Sequence, residues 1–297
     1  MKKIIRFTLA LTLVFTTLFT SACGDVAKKD VKFKIVASFY PMYITALNLT
    51  DGIDGVEVVN LTNGRVGCLH DYQLTTGNMK TLTAANVFII NGGGMEEFMP
   101  RVEKDNPKLV VIDSTKDLNI DWIKDDEGHV NSHVWMNIRH YIEQVRTIAK
   151  GLAAADPTHA TVYDNNARHY EERLLRLEEE MKKELEGLPH RDVVTYHESF
   201  PYFAKEFNIN VVANIEEEPG HEPSPRQIED MVKKLSSLKN KVILTESATA
   251  PSSAEMIAYE TGAQIYAIDP IEGGESNKYA YIDAMRKNAK ALREALK

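Results

Sequence analysis

Short apolar segments alternate with helical segments along most of this chain, and that alternation restricts the fold more than any other feature. The apolar segments have the length of buried strands and are bounded by glycine, proline or polar residues. Strands that alternate with helices build parallel sheets covered by helices, so we predict an α/β protein. The predicted strands are residues 33–41, 56–62, 87–91, 109–115, 191–197, 208–214, 241–247 and 263–269.

A long charged segment separates the two runs of strands. A helical pattern extends from Asn137 to Ala154, and Pro157 then fits the first turn of a second helix that ends near Leu185, before Gly187. Apolar residues recur three and four positions apart within this second helix, among many charged residues. We therefore predict two α/β lobes, each a mainly parallel sheet flanked by helices, joined by one long rigid helix.

The N-terminal residues have the layout of a secretory signal peptide. Three basic residues, an apolar run too short to span a membrane, and the small residues Ser21 and Ala22 precede Cys23. Small residues directly before a cysteine resemble a bacterial lipoprotein processing site, so we predict cleavage after Ala22 and a lipid on Cys23. Ordinary secretion with an unmodified Cys23 is the alternative. The prediction is an exported lipoprotein anchored at the extracytoplasmic face of the cell membrane.

These patterns together predict five parts. A signal peptide covers residues 1–22 and a lipidated tether covers 23–32. The N-terminal lobe comprises residues 33–156, the linking helix 157–187, and the C-terminal lobe 188–297.

Composition excludes several classes of function. A net charge of -8 does not favour nucleic-acid binding. The chain has neither a GxGxxG motif nor a GxxxxGK[ST] loop, so no nucleotide site is predicted. A lipid on Cys23 leaves Cys68 as the other of two cysteines, which precludes an internal disulfide. We expect a monomer with a water-soluble body.

Three of the nine histidines and one aspartate lie where strands end. His70 follows a strand and turn, His133 directly precedes a helix, and His197 closes a strand. Asp269 closes the last strand. Ligands of α/β sheets bind beyond the carboxyl ends of strands, and three imidazoles with one carboxylate suit tetrahedral zinc. Imidazole also suits other transition metals, and each residue taken alone also fits an ordinary hydrogen-bonded or turn position.

Three further side chains near these positions are candidates for the site that stay outside the predicted ligand set. His129 lies in a polar loop and is expected to be solvated, while His221 lies in an acidic loop, with contact at the edge of the site as the alternative. In an extended segment Cys68 faces the same way as His70, and a thiolate is a good zinc ligand. A lone cysteine beside apolar residues is more often a small buried hydrophobe, so Cys68 stays outside the predicted ligand set.

Six motifs occur in an order that resembles a known family. In chain order they are IVASFYPMY, HDYQLTTGNMKTLTAANVFIINGGGMEEF, NSHVWMN, YHESFPYFAKEFNI, EPSPRQIEDMVKKL and TESATAPSSAEMIAYETG. The chain resembles the metal-binding lipoproteins, or solute-binding proteins, of bacterial ABC importers for zinc and manganese, in their zinc-type branch. The resemblance covers the mature chain and implies a cluster A-I-type solute-binding fold with the metal buried between the lobes.

The resemblance also implies a site and a partner. It makes His70, His133 and His197 ligands and places Asp269 at the acidic fourth position. It implies Zn²⁺ as the transported ligand, with Mn²⁺ as the alternative, and a cognate ABC permease in the membrane that receives it. A histidine at position 197 is typical of the zinc type, whereas manganese-type relatives tend to have glutamate there. Many zinc-type relatives have a long histidine-rich loop before His133, of which this chain keeps only His129.

Two other classes of function stay open at this point. A zinc-dependent hydrolase would need a water on the metal and a general base, but the chain has no HExxH or GxSxG motif. If Asp269 rather than water fills the fourth position, the site is a closed carrier and the protein is not an enzyme. A surface adhesin that retains this fold would bind metal weakly or not at all.

Overall fold

Strands and helices alternate along the described part of the chain, which confirms the predicted α/β class. Residues Phe33–Lys297 form one compact unit. The structure is a computed structural model and describes residues 31–62, 69, 72–124, 128–216, 222–247 and 249–297.

The first lobe contains a four-stranded parallel sheet. Its strands are β1 (Phe33–Ala37), β2 (Val56–Asn60), β3 (Val87–Ile90) and β4 (Val110–Asp113). They lie in the spatial order β2-β1-β3-β4. The helices of this lobe are α1 (Tyr40–Leu49), α2 (Thr76–Thr83) and α3 (Met99–Asp105). All four residues of β3 are buried, as expected of a central parallel strand with covered faces.

The first predicted strand is longer than the observed one. β1 ends at Ala37, and Pro41 lies in the first turn of α1 instead of at the end of a strand. The first turn of a helix tolerates proline, since its missing N–H would have no partner within the helix there.

Two helices lead from the first lobe to the second. These are α4 (Ile138–Ala155) and α5 (Ala160–Glu184), separated by the 3₁₀ turn Pro157–His159. The 25 residues of α5 span about 38 Å at 1.5 Å per residue. Within the described ranges, no helix is both long enough and apolar enough to cross a membrane.

The second lobe repeats the strand order of the first. Its parallel strands are β5 (Asp192–Thr195), β6 (Asn210–Asn214), β7 (Val242–Thr245) and β8 (Gln264–Ala267). They lie in the order β6-β5-β7-β8. The helices that follow are α6 (Pro201–Glu206), α7 (Pro225–Ser236), α8 (Ser252–Thr261) and α9 (Ala280–Ala295).

The long helix α5 packs against both lobes. It contacts α1 and α4 of the first lobe and α9 of the second lobe. Its buried residues, among them Tyr170, Leu174 and Leu177, are spaced three and four apart and form one face. Tyr141 of α4 stacks on Tyr281 of α9 with ring centroids 4.0 Å apart. The predicted linking helix between two lobes is therefore confirmed.

One large apolar cluster is shared by the two lobes. It includes Ile35 of the first sheet, Val193 of the second sheet and Leu296 near the end of the chain. Two smaller clusters contain other residues of each sheet, such as Val36 in the first and Val194 in the second. Because Phe33–Lys297 is one compact unit, the predicted lobe boundaries at residues 156 and 187 stay a prediction.

Two helical glycines allow a matched test of packing. A Cβ on Gly151 of α4 would lie 2.7 Å from Ile112 Cδ1, whereas the nearest atom to a Cβ on Gly77 of α2 is Thr75 Oγ1 at 3.5 Å. We expect Gly151→Ala to lower the free energy of unfolding by about 1–2 kcal/mol through overpacking. Gly77→Ala should raise it by up to about 1 kcal/mol through helix propensity. Urea unfolding measures both, and a stabilising Gly151→Ala would contradict the described packing.

Candidate metal centre

Four polar side chains follow the strands of the second sheet at its carboxyl edge. Ligands of open α/β sheets bind at this edge. His197 follows β5, Glu216 follows β6, Glu246 follows β7 and Glu272 follows β8.

His133 comes from the loop before α4 and is completely buried. The neighbouring Trp135 holds this loop against the second lobe. Its indole Nε1 donates to the Pro270 carbonyl at 2.8 Å, and the Tyr281 hydroxyl donates to the Trp135 carbonyl at 2.7 Å. The edge of one ring meets the face of the other between Trp135 and Phe39, with centroids 4.9 Å apart. These contacts place His133 opposite the carboxyl edge of the second sheet.

Two of the three predicted histidines meet there. The ring centroids of His133 and His197 are 5.6 Å apart, and the rings are nearly perpendicular, at 80°. Nε2 of His133 lies 3.7 Å from Oε1 of Glu272. Nδ1 of His197 lies 3.0 Å from Oε2 of Glu216. The centre thus contains imidazoles from both lobes and carboxylates from the second.

Glu272 is buried, with 5% of its surface exposed, and neither carboxylate oxygen has a hydrogen-bond partner among the described residues. The pKa of Glu272 is raised to about 8, mainly by burial and also by the charges of Glu246 and Asp269, while His197 acts to lower it. Burying an ionised carboxylate without such partners is costly, so this position is suited to a bound cation.

Asp269, predicted as the acidic residue of the site, lies three positions earlier in the same turn. It is exposed, and its Oδ1 accepts a hydrogen bond from the Ile271 N–H at 2.7 Å. Ile271 has φ = 63°, a left-handed conformation that is rare for a β-branched residue. The structure brings Glu272 rather than Asp269 next to His133.

The other predicted or weighed residues are only partly described. His70, the first predicted ligand, and Cys23 lie outside the described residues, as do Cys68 and His221. His129 is exposed, as expected for a solvated histidine. Within the described part of the chain, no group of three histidine, cysteine, aspartate or glutamate side chains is arranged to hold a metal ion.

Sequence reasoning missed Glu272, Glu216 and Asn131, whose Oδ1 lies 3.1 Å from Nδ1 of His133. A signal existed for the two glutamates, because each follows a predicted strand of the second lobe within a few residues. No periodic pattern identifies Asn131, since it lies in a loop and reaches Nδ1 of the histidine through loop geometry.

The two α/β lobes, the long helix between them and the histidines that meet from both lobes define the class of two-lobed solute-binding proteins. Comparison with known families assigns the chain within this class. The chain belongs to the ZnuA family, described as "Zinc-uptake complex component A periplasmic", whose model matches residues 35–295. This confirms the predicted family.

Individual relatives agree with the family. The zinc-binding lipoprotein AdcA of Streptococcus pneumoniae is 27% identical over 295 residues, which cover 93% of this chain but only 58% of AdcA. The high-affinity zinc uptake system protein ZnuA of Bacillus subtilis is 24% identical, with 94% of each chain covered. The crystal structure of the SBP FpvC of Pseudomonas aeruginosa with Ni²⁺ has a TM-score of 0.79 and 29% identity, and covers 89% of this chain and 96% of that one.

The family assignment supports the predicted class over a zinc-dependent hydrolase. The matching family is a component of an uptake complex and not an enzyme, which confirms that part of the prediction. Its description as periplasmic supports an exported protein.

Proposed function

We propose that this protein captures a divalent transition metal, zinc in the first place, between its lobes and delivers it to the permease of an ABC importer. The family description as a zinc-uptake component and the similarity to the zinc-binding lipoprotein AdcA support zinc. The observation that carries the proposal is the buried Glu272 carboxylate, which faces the imidazole of His133 at 3.7 Å beside His197.

The proposed ligands are His70, His133 and His197, with Glu272 as the fourth ligand in place of Asp269. Two ligands at about 2.0–2.1 Å from a tetrahedral zinc ion lie roughly 3.3 Å apart. His133 Nε2 and Glu272 Oε1 are 3.7 Å apart, so a small side-chain movement would bring them to that separation. His70 would be the second imidazole from the first lobe.

Nitrogen-rich coordination favours zinc over manganese, because imidazole suits zinc, copper and nickel while manganese prefers oxygen ligands. FpvC has been crystallised with Ni²⁺ and with Mn²⁺, so manganese is the competitor to include in the binding test.

The proposed setting is a monomer tethered at the extracytoplasmic face through a lipid on Cys23. Signal-peptide cleavage after Ala22 would leave that cysteine at the new N-terminus. Mass spectrometry of the protein from membranes should find a diacylglycerol on Cys23, and Cys23→Ala should release the protein into the soluble fraction. A membrane-retained Cys23→Ala protein would contradict the tether.

Titration of the metal-free protein with zinc against a competing chelator tests the function. We expect one tightly bound zinc per chain, weaker binding as the pH falls because imidazoles must be neutral to bind, and weaker binding of manganese. X-ray absorption should show three nitrogen ligands and one carboxylate oxygen. Absence of one-to-one binding would refute the proposal and favour the adhesin alternative.

Glu272→Gln should have opposite effects on metal binding and on stability. It removes the carboxylate, so zinc affinity falls. In the metal-free folded protein Glu272 keeps its proton until the pH approaches its pKa of about 8. In the unfolded chain the same carboxyl loses its proton near its ordinary pKa of 4.5. Wild-type stability therefore declines as the pH rises through this window. The glutamine variant lacks that contribution, so its free energy of unfolding should exceed that of the wild type at pH 8.

Urea unfolding of both metal-free proteins at pH 5 and pH 8 measures the effect. Glu275→Gln is the control, because Glu275 is exposed. A Glu272→Gln variant that is less stable than the wild type at pH 8 would mean that the buried carboxylate has partners beyond those described.

A further inference from the structure

The buried amide of Asn131 contacts His133 of the metal centre at its backbone N–H and at Nδ1, the ring nitrogen other than the one nearest Glu272. Asn131 is 6% exposed. Its Oδ1 accepts from the His133 backbone N–H at 3.0 Å and lies 3.1 Å from His133 Nδ1. Its Nδ2 donates to the Glu198 carbonyl at 2.8 Å. One side chain thus touches a histidine of the first lobe and the residue after His197 in the second.

Two backbone groups determine which way this amide faces. A main-chain N–H can only donate a hydrogen bond, and a main-chain carbonyl can only accept one. The His133 N–H therefore requires the amide oxygen on its side, and the Glu198 carbonyl requires the amide nitrogen on the other. A flipped amide would lose both bonds.

The amide orientation in turn determines the tautomer of His133. Nδ1 faces an oxygen that can only accept, so Nδ1 carries the hydrogen. In the neutral ring the lone pair then lies on Nε2, the atom 3.7 Å from Glu272. A neutral imidazole binds a metal ion through the nitrogen that carries the lone pair.

The bond from Asn131 to Glu198 also connects the two lobes at the site. Glu198 follows His197 directly, so the amide ties the segments of two proposed ligands together. The hydroxyl of buried Tyr202 donates to the Asn131 carbonyl at 3.0 Å and holds the same segment from the second lobe. Glu216 contacts Nδ1 of His197 at 3.0 Å, so each of these histidines has an acceptor at Nδ1.

We propose that Asn131 is a positioning residue for metal capture. Its amide holds His133 in the tautomer that presents Nε2 to the ion, and it aligns the His133 segment with the His197 segment across the lobes. This inference rests on the proposed function, because it concerns the same site. Residues that orient metal-binding histidines in this way typically change affinity by about 10- to 100-fold when they are replaced.

Two substitutions separate the two effects. Asn131→Ala removes both the acceptor and the donor, so we expect a mixed tautomer at His133 and roughly 10- to 100-fold weaker zinc binding. Asn131→Asp keeps an acceptor for His133 but has no N–H for the Glu198 carbonyl. It should restore the tautomer and most of the affinity, while zinc dissociates faster than from the wild type.

The tautomer is measured in the metal-free protein by ¹⁵N NMR of labelled histidine, with His133→Ala identifying the signal. Zinc affinity and dissociation are measured by competition with a chelator. Asn48→Ala is the matched control: this buried amide donates to the Lys278 carbonyl at 2.8 Å, also between the lobes, without touching a proposed ligand. It should leave the tautomer and the zinc affinity unchanged.

The outcomes distinguish a failure of the positioning role from a failure of the proposed function. Failure of the wild type to bind zinc would overturn the proposed function. A wild type that binds zinc, together with an Asn131→Ala variant of unchanged tautomer and affinity, would overturn the positioning role alone. If Asn131→Ala does not fold, Asn131→Asp decides, and unchanged zinc dissociation in that variant would refute the tie between the lobes.

Discussion

Replacing His133 by alanine is expected to weaken zinc binding by about 3–4 kcal/mol, which is roughly a hundred- to a thousandfold. Four-ligand zinc sites bind with about 10–16 kcal/mol, so the loss of one ligand removes about a quarter of that free energy. His133 is completely buried, so no other side chain can take its place on the ion without rearrangement of the surrounding structure. Competition with a chelator of known affinity measures the change.

His140→Ala is the control for this experiment. His140 is half-buried, its ring packs against Tyr202 at 5.5 Å, and burial lowers its pKa to about 4, so it is a neutral imidazole near the site. We expect its removal to leave zinc affinity unchanged. If His133→Ala binds zinc as tightly as the wild type, the ion is held elsewhere and the proposed site is wrong.

Replacing Trp135 by alanine is expected to lower the free energy of unfolding by about 3–5 kcal/mol. The indole is completely buried, packs on Phe39 and donates to the Pro270 carbonyl at 2.8 Å. The substitution leaves a large cavity and an unsatisfied carbonyl at the junction of the lobes. Urea unfolding of the metal-free protein, followed by far-ultraviolet circular dichroism, measures the loss.

Two further variants show which part of the Trp135 side chain accounts for the lost stability and whether its position matters. Trp135→Phe keeps an aromatic ring but lacks the N–H, so it should lose less, about 1–3 kcal/mol. Trp122→Ala replaces the other tryptophan, which is only half-buried, and should cost less than Trp135→Ala. Equal decreases in the free energy of unfolding for Trp122→Ala and Trp135→Ala would show that the contacts of Trp135 between the lobes do not contribute more to stability than those of Trp122.

Much of the fold was predictable, because the strand-and-helix alternation depends on periodicity and burial. The two sheets and the linking helix follow from it. The limits of elements were less predictable: β1 ends at Ala37 although the aromatic residues Phe39 and Tyr40 follow closely, because the chain turns there into α1. The identical strand order of the two sheets is also invisible in the pattern, since it depends on pairing between distant segments.

The site was predictable only in part. Histidines after strand ends could be recognised, and the structure brings His133 and His197 together. The choice between Asp269 and Glu272 depends on a turn with a positive φ at Ile271, which neither strand nor helix periodicity describes. The role inferred for Asn131 depends on loop geometry, so no spacing rule would reveal it.

The shared apolar cluster bears on how the protein folds. Because residues from Ile35 to Leu296 belong to one apolar cluster, the cores of the two lobes are continuous through α5, which packs on α1, α4 and α9. We therefore expect the two lobes to unfold together, in one cooperative transition. A fragment cut within α5 would expose to water the apolar face of this helix and the surfaces of α1, α4 and α9 that it covers.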